Sequence, residues 1–301
     1  MSETKREVGD MSVKGPYSFE YARLAVPDVK ETKEWYEKYV GVDFAGNTDG
    51  HTYLRAGLPH HSLDLVEDRS LKKHEVRAFG FSVESEEALD ALKKRVKDSG
   101  APVKELDAAQ KNWCAGGFAT QDPAGNTLEF FTDYQEWAEM PSRFYTPAYI
   151  VHPFIGTPKF DETLKFYLDV LGFKASDYIA NVTAFLRSEN RLHHSFAMRR
   201  SKEKEVAHIC FAMKSLDDVM RGRALAVYDK IKIAADMANH SASKSIAFYI
   251  EDDKHGPRIE LCDGHRRLTE EEHATAKPRH MSVDPRNIDI WRPAADDWHD
   301  L

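Results

Sequence analysis

The 301-residue sequence has no long apolar run and no excess of positive charge. A membrane-spanning helix needs about 20 consecutive apolar residues, and no segment of the sequence approaches that length. The formal net charge of −8 argues against nucleic acid or an anionic membrane surface as the main partner, because both attract basic proteins. The first residues, MSETKREVGD, lack the apolar core of a signal peptide, so we expect a cytoplasmic protein.

Cysteine is also scarce. The three cysteines, Cys114, Cys210 and Cys262, have the spacing of neither a zinc site nor a redox pair nor a disulfide framework. Cys210 and Cys262 lie in apolar segments, and we interpret them as small core residues. Histidine, by contrast, occurs fourteen times. Any metal or acid-base chemistry therefore depends on particular histidines and carboxylates.

The chain repeats itself at an interval close to 131 residues. The segment 125–130, GNTLEF, resembles 256–261, GPRIEL, and each segment carries a glutamate in a strand pattern. Glu260 lies 131 positions after Glu129 (260 − 129). Other segments with strand and amphipathic-helix patterns repeat at the same interval. For a histidine pair the interval is two residues longer, which an indel of two residues would explain. The further matches are 26–44 with 157–175, 79–96 with 210–227, and 60–62 with 193–195.

Each half of the chain is predicted to contain the order β-α-β-β-β twice, which makes the protein α+β. Duplicated units of this kind resemble the vicinal oxygen chelate superfamily (glyoxalase/bleomycin resistance/dioxygenase). The resemblance implies two tandem domains, each a pair of βαβββ modules that form a cupped mixed sheet around a central cavity. The predicted parts are an N-terminal extension (1–16), a first domain without a metal site (17–134), a linker (135–146), a catalytic metal-binding domain (147–264) and a tail packing on it (265–301).

The second half has three residues at the positions where this superfamily places metal ligands. His152 lies in YIVHPF, His208 lies in EVAHICF, and Glu260 closes GPRIEL. Two imidazoles and one carboxylate on one face of an octahedron hold Fe(II) or Mn(II) and leave positions open for substrates. A lone histidine on a strand is more often a packed or exposed residue, so the match at all three positions carries this prediction.

The first half lacks two of these three ligands. The repeat interval places Tyr21 and Arg77 at the two histidine positions, and only Glu129 persists. We therefore expect one metal-binding half and one half without metal. The pair His60 and His61 is interpreted as a relic of the duplication.

The arrangement of the second half resembles the two-domain type I extradiol dioxygenases. AYIVHPF with DETLKFYLDVLGF is similar to their first-ligand strand and helix, and AHICFAMKSLDDV to their second-ligand strand. The segment AFYIEDDKHGPRIEL is similar to their closing motif; its DDKHGPRIEL part is one residue longer than the common DPDGHRIEL form, and the turn rather than the strand absorbs the difference. The resemblance implies an Fe(II) enzyme, with Mn(II) able to replace iron in related members. Such an enzyme opens a catechol-type ring with O₂ to a hydroxymuconic semialdehyde-type product.

Three further residues match the pocket of this family. His194, in RLHHSFAM, corresponds to the histidine that handles protons near oxygen, while His240 and Tyr249 match a His/Tyr pair that faces the substrate hydroxyls. A diol that binds through both oxygens needs a base for one proton and a donor for the ring oxygen. His193 and His255 are interpreted as structural or exposed.

The resemblance also suggests residues that contact the substrate. Phe154 and Phe185 are expected to line the pocket, and Arg286 or Arg292 of the tail is a candidate partner for a substrate carboxylate. A plain, alkylated or bicyclic catechol remains equally allowed. Because oligomers are common in the family, we expect a homo-oligomer, either a dimer or a tetramer.

Two alternatives remain open at this point. The first is a metal-dependent isomerase, lyase or epimerase of the glyoxalase kind, which typically uses a fourth protein ligand and often builds its site across two units. The second is a metal-free small-molecule binding protein, like the antibiotic-sequestering members. An intact ligand set argues against the second alternative.

Overall fold

The computed structural model describes residues 12–292. The parts of the predicted extension and tail at 1–11 and 293–301 lie outside the described residues. The strands form two mixed β-sheets, one of eight strands and one of nine. No helix among the described residues has the length and apolarity that crossing a membrane requires.

The first sheet and its helices come from the first half of the chain. The helices begin at capping side chains, since Asp28 and Ser85 accept hydrogen bonds from backbone N–H groups of the first turns. The elements are β1 (Ser18–Val26), α1 (Val29–Tyr39), β2 (Asp43–Thr48), β3 (His51–Arg55), β4 (Leu63–Glu67), β5 (Glu75–Ser82), α2 (Glu86–Asp98), β6 (Lys104–Glu105), β7 (Gly116–Gln121) and β8 (Thr127–Thr132).

The second half repeats this order and adds a C-terminal segment. The helix after its first strand continues into a π turn at Phe166–Val170. The elements are β9 (Pro147–Thr157), α3 (Phe160–Lys165), β10 (Lys174–Ile179), β11 (Thr183–Arg187), β12 (Phe196–Arg200), β13 (Glu205–Met213), α4 (Leu216–Tyr228), β14 (Lys232–Asn239), β15 (Ile246–Glu251), β16 (Arg258–Asp263), α5 (Glu270–Thr275) and β17 (Arg279–Met281).

Both sheets have the same topology. In the first sheet, β1 and β5 form a central antiparallel pair, flanked by β4 parallel to β1 and by β8 parallel to β5. In the second sheet, β9 and β13 form the central pair, flanked in the same way by β12 and β16. The predicted α+β class with paired βαβββ modules is therefore confirmed.

One continuous apolar core joins the two halves. Aromatic rings of the two sheets meet across it: the ring centroids of Phe79 and Phe196 are 6.2 Å apart, and those of Phe81 and Phe173 are 5.7 Å apart. Buried side chains of α1, α2, α3 and α4 belong to the same core. The helices therefore cover the faces of the sheets that point toward each other, which leaves the opposite face of each sheet to enclose its own interior.

The two enclosed interiors differ in the size of their side chains. Tyr21, Tyr53, Trp113 and Phe131 fill the interior of the first sheet. In the second sheet the corresponding cluster consists mainly of small residues, and Cys262 occupies the position equivalent to Phe131. Small side chains leave room for a cavity in the second half. The members of this cluster are Val151, Leu192, Cys210, Ala212, Ala247 and Cys262.

The first half neutralises its buried glutamate with an arginine. Arg23 Nη1 donates to Glu129 Oε1 at 2.8 Å, and Arg23 Nε donates to Asp64 Oδ2 at 2.5 Å. The Tyr21 hydroxyl also donates to Glu129, while Arg77 points to the surface and pairs with acidic side chains there. Both carboxylates bound by Arg23 are buried, so the guanidinium supplies a charge that they need.

The described part of the tail contacts β10 and β14, which lie at opposite ends of the strand order of the repeat in the second sheet. β17 pairs in parallel with β10, and Ala180 N donates to Met281 O. Further along, Ile290 N donates to Asn239 O at the end of β14. The tail therefore contacts both of these strands.

Replacing Arg23 by alanine should destabilise the protein, because it leaves two buried carboxylates without their cation. We expect the free energy of unfolding, measured by urea denaturation, to fall by about 3–5 kcal/mol. Arg69→Ala removes an exposed guanidinium that pairs with Glu67 and should leave the denaturation midpoint unchanged. An Arg23→Ala protein as stable as wild type would show that Arg23 does not neutralise this cluster.

Candidate metal centre

A cavity of about 620 Å³ opens inside the second sheet. Its size lies in the range of small-molecule sites. All the predicted site residues except Arg286 contribute to its lining. These residues are His152, Phe154, Phe185, His194, His208, His240, Tyr249, Glu260 and Arg292.

The three predicted ligands converge at the inner end of this cavity. His152 Nε2 lies 3.2 Å from His208 Nε2, and Glu260 Oε2 lies 3.1 Å from His208 Nε2 and 3.6 Å from His152 Nε2. In an octahedral site with bonds of about 2.1 Å, neighbouring donors are about 3 Å apart. The three atoms therefore fit one face around a single divalent ion.

Strand pairing brings these ligands together. His152 lies on β9, His208 on β13 and Glu260 on β16, which are adjacent strands in the sheet. Cys210 of β13 pairs with His152 on one side and with Glu260 on the other. In the β13–β9 ladder the register shifts before and after the pair of Cys210 and His152. Such bulges re-aim side chains next to sites, and here the ligands of three strands point into one interior.

The electrostatics suit metal ligation. Burial lowers the pKa of His152 far below its ordinary value and keeps the imidazole neutral. Burial disfavours a charged Glu260, but the contacts with the imidazoles of His208 and His240 outweigh this effect and hold the pKa of Glu260 well below its ordinary value. Neutral imidazoles and an ionised carboxylate are the forms that bind a metal.

Two other groups of donors also converge near His152. One includes Cys210 with Glu260, and the other includes His194 with His265. Burial raises the pKa of the Cys210 thiol well above its ordinary value, so the thiolate that would ligate a metal is disfavoured. The second group lacks a carboxylate to balance the charge of an ion. His152, His208 and Glu260 are therefore the set that best fits a divalent metal.

His240 and Tyr249 form a hydrogen-bonded pair beside the ligands. His240 Nδ1 lies 3.1 Å from the carbonyl oxygen of Ile288, so this nitrogen carries the proton and donates it. The Tyr249 hydroxyl lies 2.8 Å from His240 Nε2, and Glu260 Oε1 lies 3.5 Å from the same nitrogen. The tail carbonyl thus leaves Nε2 as the nitrogen that faces the site.

His194 lies on the other side of the ligands, packed against Phe185 and neighbouring imidazole rings. Its ring centroid is 4.1 Å from that of His152 and 4.9 Å from that of Phe185. Burial lowers the pKa of His194 well below its ordinary value. The ring is therefore neutral and can both accept and donate a proton within the cavity.

Of the residues predicted to contact the substrate, three line the cavity and one does not. Phe154 stacks on His208 with ring centroids 5.1 Å apart and forms a wall with Phe185. Arg292 lies at the rim, where its guanidinium Nε is 3.7 Å from Asp289. Arg286 does not line the cavity, because its guanidinium binds the neighbouring carboxylate of Asp284. The prediction that Arg286 holds a substrate carboxylate thus lacks structural support.

Sequence reasoning missed His265, which packs behind His194. Their ring centroids are 4.6 Å apart, and burial lowers the pKa of His265 to about 3. The residue follows Gly264 directly after the last strand of the repeat, and the 131-residue interval places Tyr134 at the equivalent position of the first half. An aromatic residue at this point in both halves was the available signal.

Removing one ligand should abolish metal retention. We expect His208→Ala to weaken Fe(II) binding by at least about 100-fold, because two donors remain and the buried carboxylate loses a partner. Iron content after gel filtration and titration calorimetry measure this effect. Arg77→Ala changes the equivalent position of the first half and should leave one ion per chain; equal losses in the two variants would contradict the assignment.

Comparison with known proteins is consistent with this geometry. The sequence profile of the Glyoxalase/Bleomycin resistance protein/Dioxygenase superfamily matches residues 18–130 and 149–261. A biphenyl-2,3-diol 1,2-dioxygenase from Paraburkholderia xenovorans (strain LB400) is 26% identical over 254 residues, which cover 77% of this chain and 83% of that protein. An iron-dependent extradiol dioxygenase from Rhodococcus jostii (strain RHA1) is 25% identical over 262 residues, covering 78% and 85%.

Solved structures share the whole architecture. A Mn(II)-bound glyoxalase from Novosphingobium aromaticivorans superposes with a TM-score of 0.82 at 23% identity, covering 93% of this chain and 92% of that one. A homoprotocatechuate 2,3-dioxygenase from Arthrobacter globiformis gives 0.81 at 21% identity, covering 96% and 93%. These likenesses show the fold. Because the profile matches both halves over most of their length, the chain belongs to the Glyoxalase/Bleomycin resistance protein/Dioxygenase superfamily.

Proposed function

We propose that this protein is an extradiol dioxygenase that opens the ring of a catechol-type diol with O₂ to a hydroxymuconic semialdehyde-type product. The observation that carries the proposal is the convergence of His152, His208 and Glu260 at the end of a cavity. His194 flanks these ligands on one side, and His240 and Tyr249 flank them on the other. The named dioxygenases at about 26% identity support the same reaction class.

The three ligands would hold Fe(II), and Mn(II) can take its place. Two neutral imidazoles and one carboxylate are the donor set of non-haem Fe(II) oxygenases. When bound, the metal supplies the electron transfer between an aromatic diol and O₂ that protein side chains cannot provide. The protein contributes the geometry of the ligands, the movement of protons and a cavity that excludes water.

We assign the hydroxyl groups of the diol to His240 and Tyr249. Because His240 Nδ1 donates to the tail carbonyl, Nε2 is the basic nitrogen, and it accepts the Tyr249 hydroxyl. Burial lowers the pKa of His240, but the neighbouring carboxylate of Glu260 outweighs burial and raises it overall. A proton taken at Nε2 is thus stabilised, and Tyr249 remains a donor for the ring oxygen.

His194 serves the opposite side of the diol. Its neutral, buried ring lies against Phe185, so protons at this position exchange with the substrates rather than with bulk water. We assign His194 the transfer of a proton to oxygen during ring opening.

The wall of the cavity favours a diol with an apolar substituent. Beside polar side chains such as Arg199 and Asp236, the lining includes small and apolar residues, which leave space for a group larger than hydrogen. Arg292 at the rim is the candidate partner for a carboxylate on a longer substituent. The small and apolar wall residues are Ala234, Ala235, Met237, Ala238, Ala242 and Ile288.

A metal-dependent isomerase of the glyoxalase kind is the second candidate. The likeness in fold to a Mn(II)-bound glyoxalase favours it. Oxygen consumption separates the two, because an isomerase uses none. In a closed cell, anaerobic protein loaded with Fe(II) should turn a panel of catechols yellow only after air is admitted, with about one O₂ consumed per diol.

His194 and its first-half equivalent provide a matched test of the proposal. We expect His194→Phe to lower kcat by about 10²–10⁴-fold, the usual contribution of a general acid or base, while His61→Phe leaves kcat unchanged. Oxygen uptake with the best diol of the panel measures both. Wild-type protein that retains Fe(II) but consumes no O₂ with any diol would contradict the proposed reaction, and equal losses in the two variants would contradict the role of His194.

A further inference from the structure

A chain of hydrogen bonds leads from His194 away from the cavity. His194 Nδ1 lies 3.1 Å from His193 Nδ1, and His193 Nε2 lies 2.9 Å from Asp177 Oδ2. Asp177 and His193 are buried to 1% and 2% exposure. No water is needed to connect these groups, and the chain ends on a carboxylate.

An ionised carboxylate can only accept hydrogen bonds, and this fixes which group donates in each bond between Asp177, His193 and His194. An ionised Asp177 can only accept, so His193 carries its proton on Nε2 and keeps a lone pair on Nδ1. That lone pair accepts from His194, whose proton must then be on Nδ1. His194 Nε2 is left with a lone pair, and this is the nitrogen that can face the substrate.

We propose that Asp177 and His193 are positioning residues that hold His194 in the tautomer with its proton on Nδ1, so that Nε2 presents a lone pair to the cavity. The inference rests on the proposed function of the site and deepens it by naming the residues that orient His194. The same logic orients the histidine of hydrolase triads.

The charge states of Asp177 and His193 support these hydrogen-bond directions. Burial disfavours a charged Asp177, but hydrogen bonds from His193 and Arg279 outweigh burial and lower its pKa. Burial lowers the pKa of His193 despite the nearby carboxylate. An ionised Asp177 next to a neutral His193 is the state that the bond directions require.

The carboxylate occurs only in the half with the metal ligands. The pair His60 and His61 of the first half makes the same contact, with 2.9 Å between the Nδ1 atoms. The 131-residue interval, however, places Gly46 at the position of Asp177. The histidine pair is thus a shared feature of the repeat, whereas the orienting carboxylate belongs to the cavity with the ligands.

The tail completes the arrangement. Arg279 on β17 donates through Nε to Asp177 Oδ1 at 2.8 Å; its Nη2 also contacts Oδ2, the oxygen that accepts from His193. The tail carbonyl of Ile288 orients His240 in a similar way. Both histidines that flank the ligands therefore take their tautomer from contacts to which the tail contributes.

Asp177→Asn tests the proposal because it changes the bond directions with little change in shape. The asparagine amide can donate to His193 Nε2, which moves the proton of His193 to Nδ1 and that of His194 to Nε2. We expect kcat to fall by about 10²-fold or more with the KM for the diol within about threefold. In ¹⁵N-histidine NMR of the full chain before metal loading, the His194 signals should change from the Nδ1–H to the Nε2–H pattern.

Coupling to His194 separates positioning from a general structural role. Asp177→Asn should cause no further loss of kcat in a His194→Phe background, and Asp177→Glu, which restores an acceptor-only group, should recover part of kcat. His60→Gln is the matched control in the first half and should leave both kcat and the His194 spectrum unchanged. If Asp177→Asn does not fold, His193→Gln is tested by the same kinetic cycle and spectrum.

The outcomes also distinguish this inference from the proposed function. The positioning role is wrong if the wild type is active and Asp177→Asn has the same kcat as wild type. It is also wrong if Asp177→Asn lowers kcat further in the His194→Phe background. Both outcomes leave the proposed function intact. A wild type that cleaves no diol overturns the function. In that case the ¹⁵N pattern of His194 alone decides the tautomer, and an Nε2–H pattern in wild type overturns it.

Discussion

Each half of the chain buries a glutamate on the last strand of its repeat, and a buried carboxylate requires a cation. Glu129 and Glu260 are both 3% exposed, so neither can be solvated by bulk water. In the first half Arg23 supplies the positive charge through a direct hydrogen bond. In the second half two imidazoles and the carboxylate converge instead, and a divalent ion is the cation that fits them.

The packing of the two interiors follows from the cation that suits each one: a guanidinium in the first half and a metal ion in the second. A guanidinium carries its charge on a side chain and needs no open coordination positions, so aromatic rings can close around the first site. A metal that takes substrates needs free space on one side. Small residues such as Cys262 and Ala247 provide that space, and the cavity opens where the first half has tyrosine, tryptophan and phenylalanine.

The sequence predicts the architecture of the two halves well because each half repeats the other. The 131-residue interval relates the strands of one half to those of the other, whereas the prediction of His208 and Glu260 as ligands comes from the resemblance to the family. Contacts made by loops and by the tail have no such period. Asp177 and Arg279 are 102 positions apart, and neither residue carries a motif. The tail arginines have no counterpart in the repeat either: Arg292 lines the cavity, whereas Arg286 pairs with the neighbouring Asp284.

Anomalous diffraction at the iron edge from crystals of the Fe(II)-loaded protein tests this account most directly. The account predicts one iron peak per chain, at bonding distance from His152 Nε2, His208 Nε2 and a Glu260 oxygen, and none beside Glu129. An ion bound through His194 and His265, an ion shared between the two halves, or a peak next to Glu129 would contradict it.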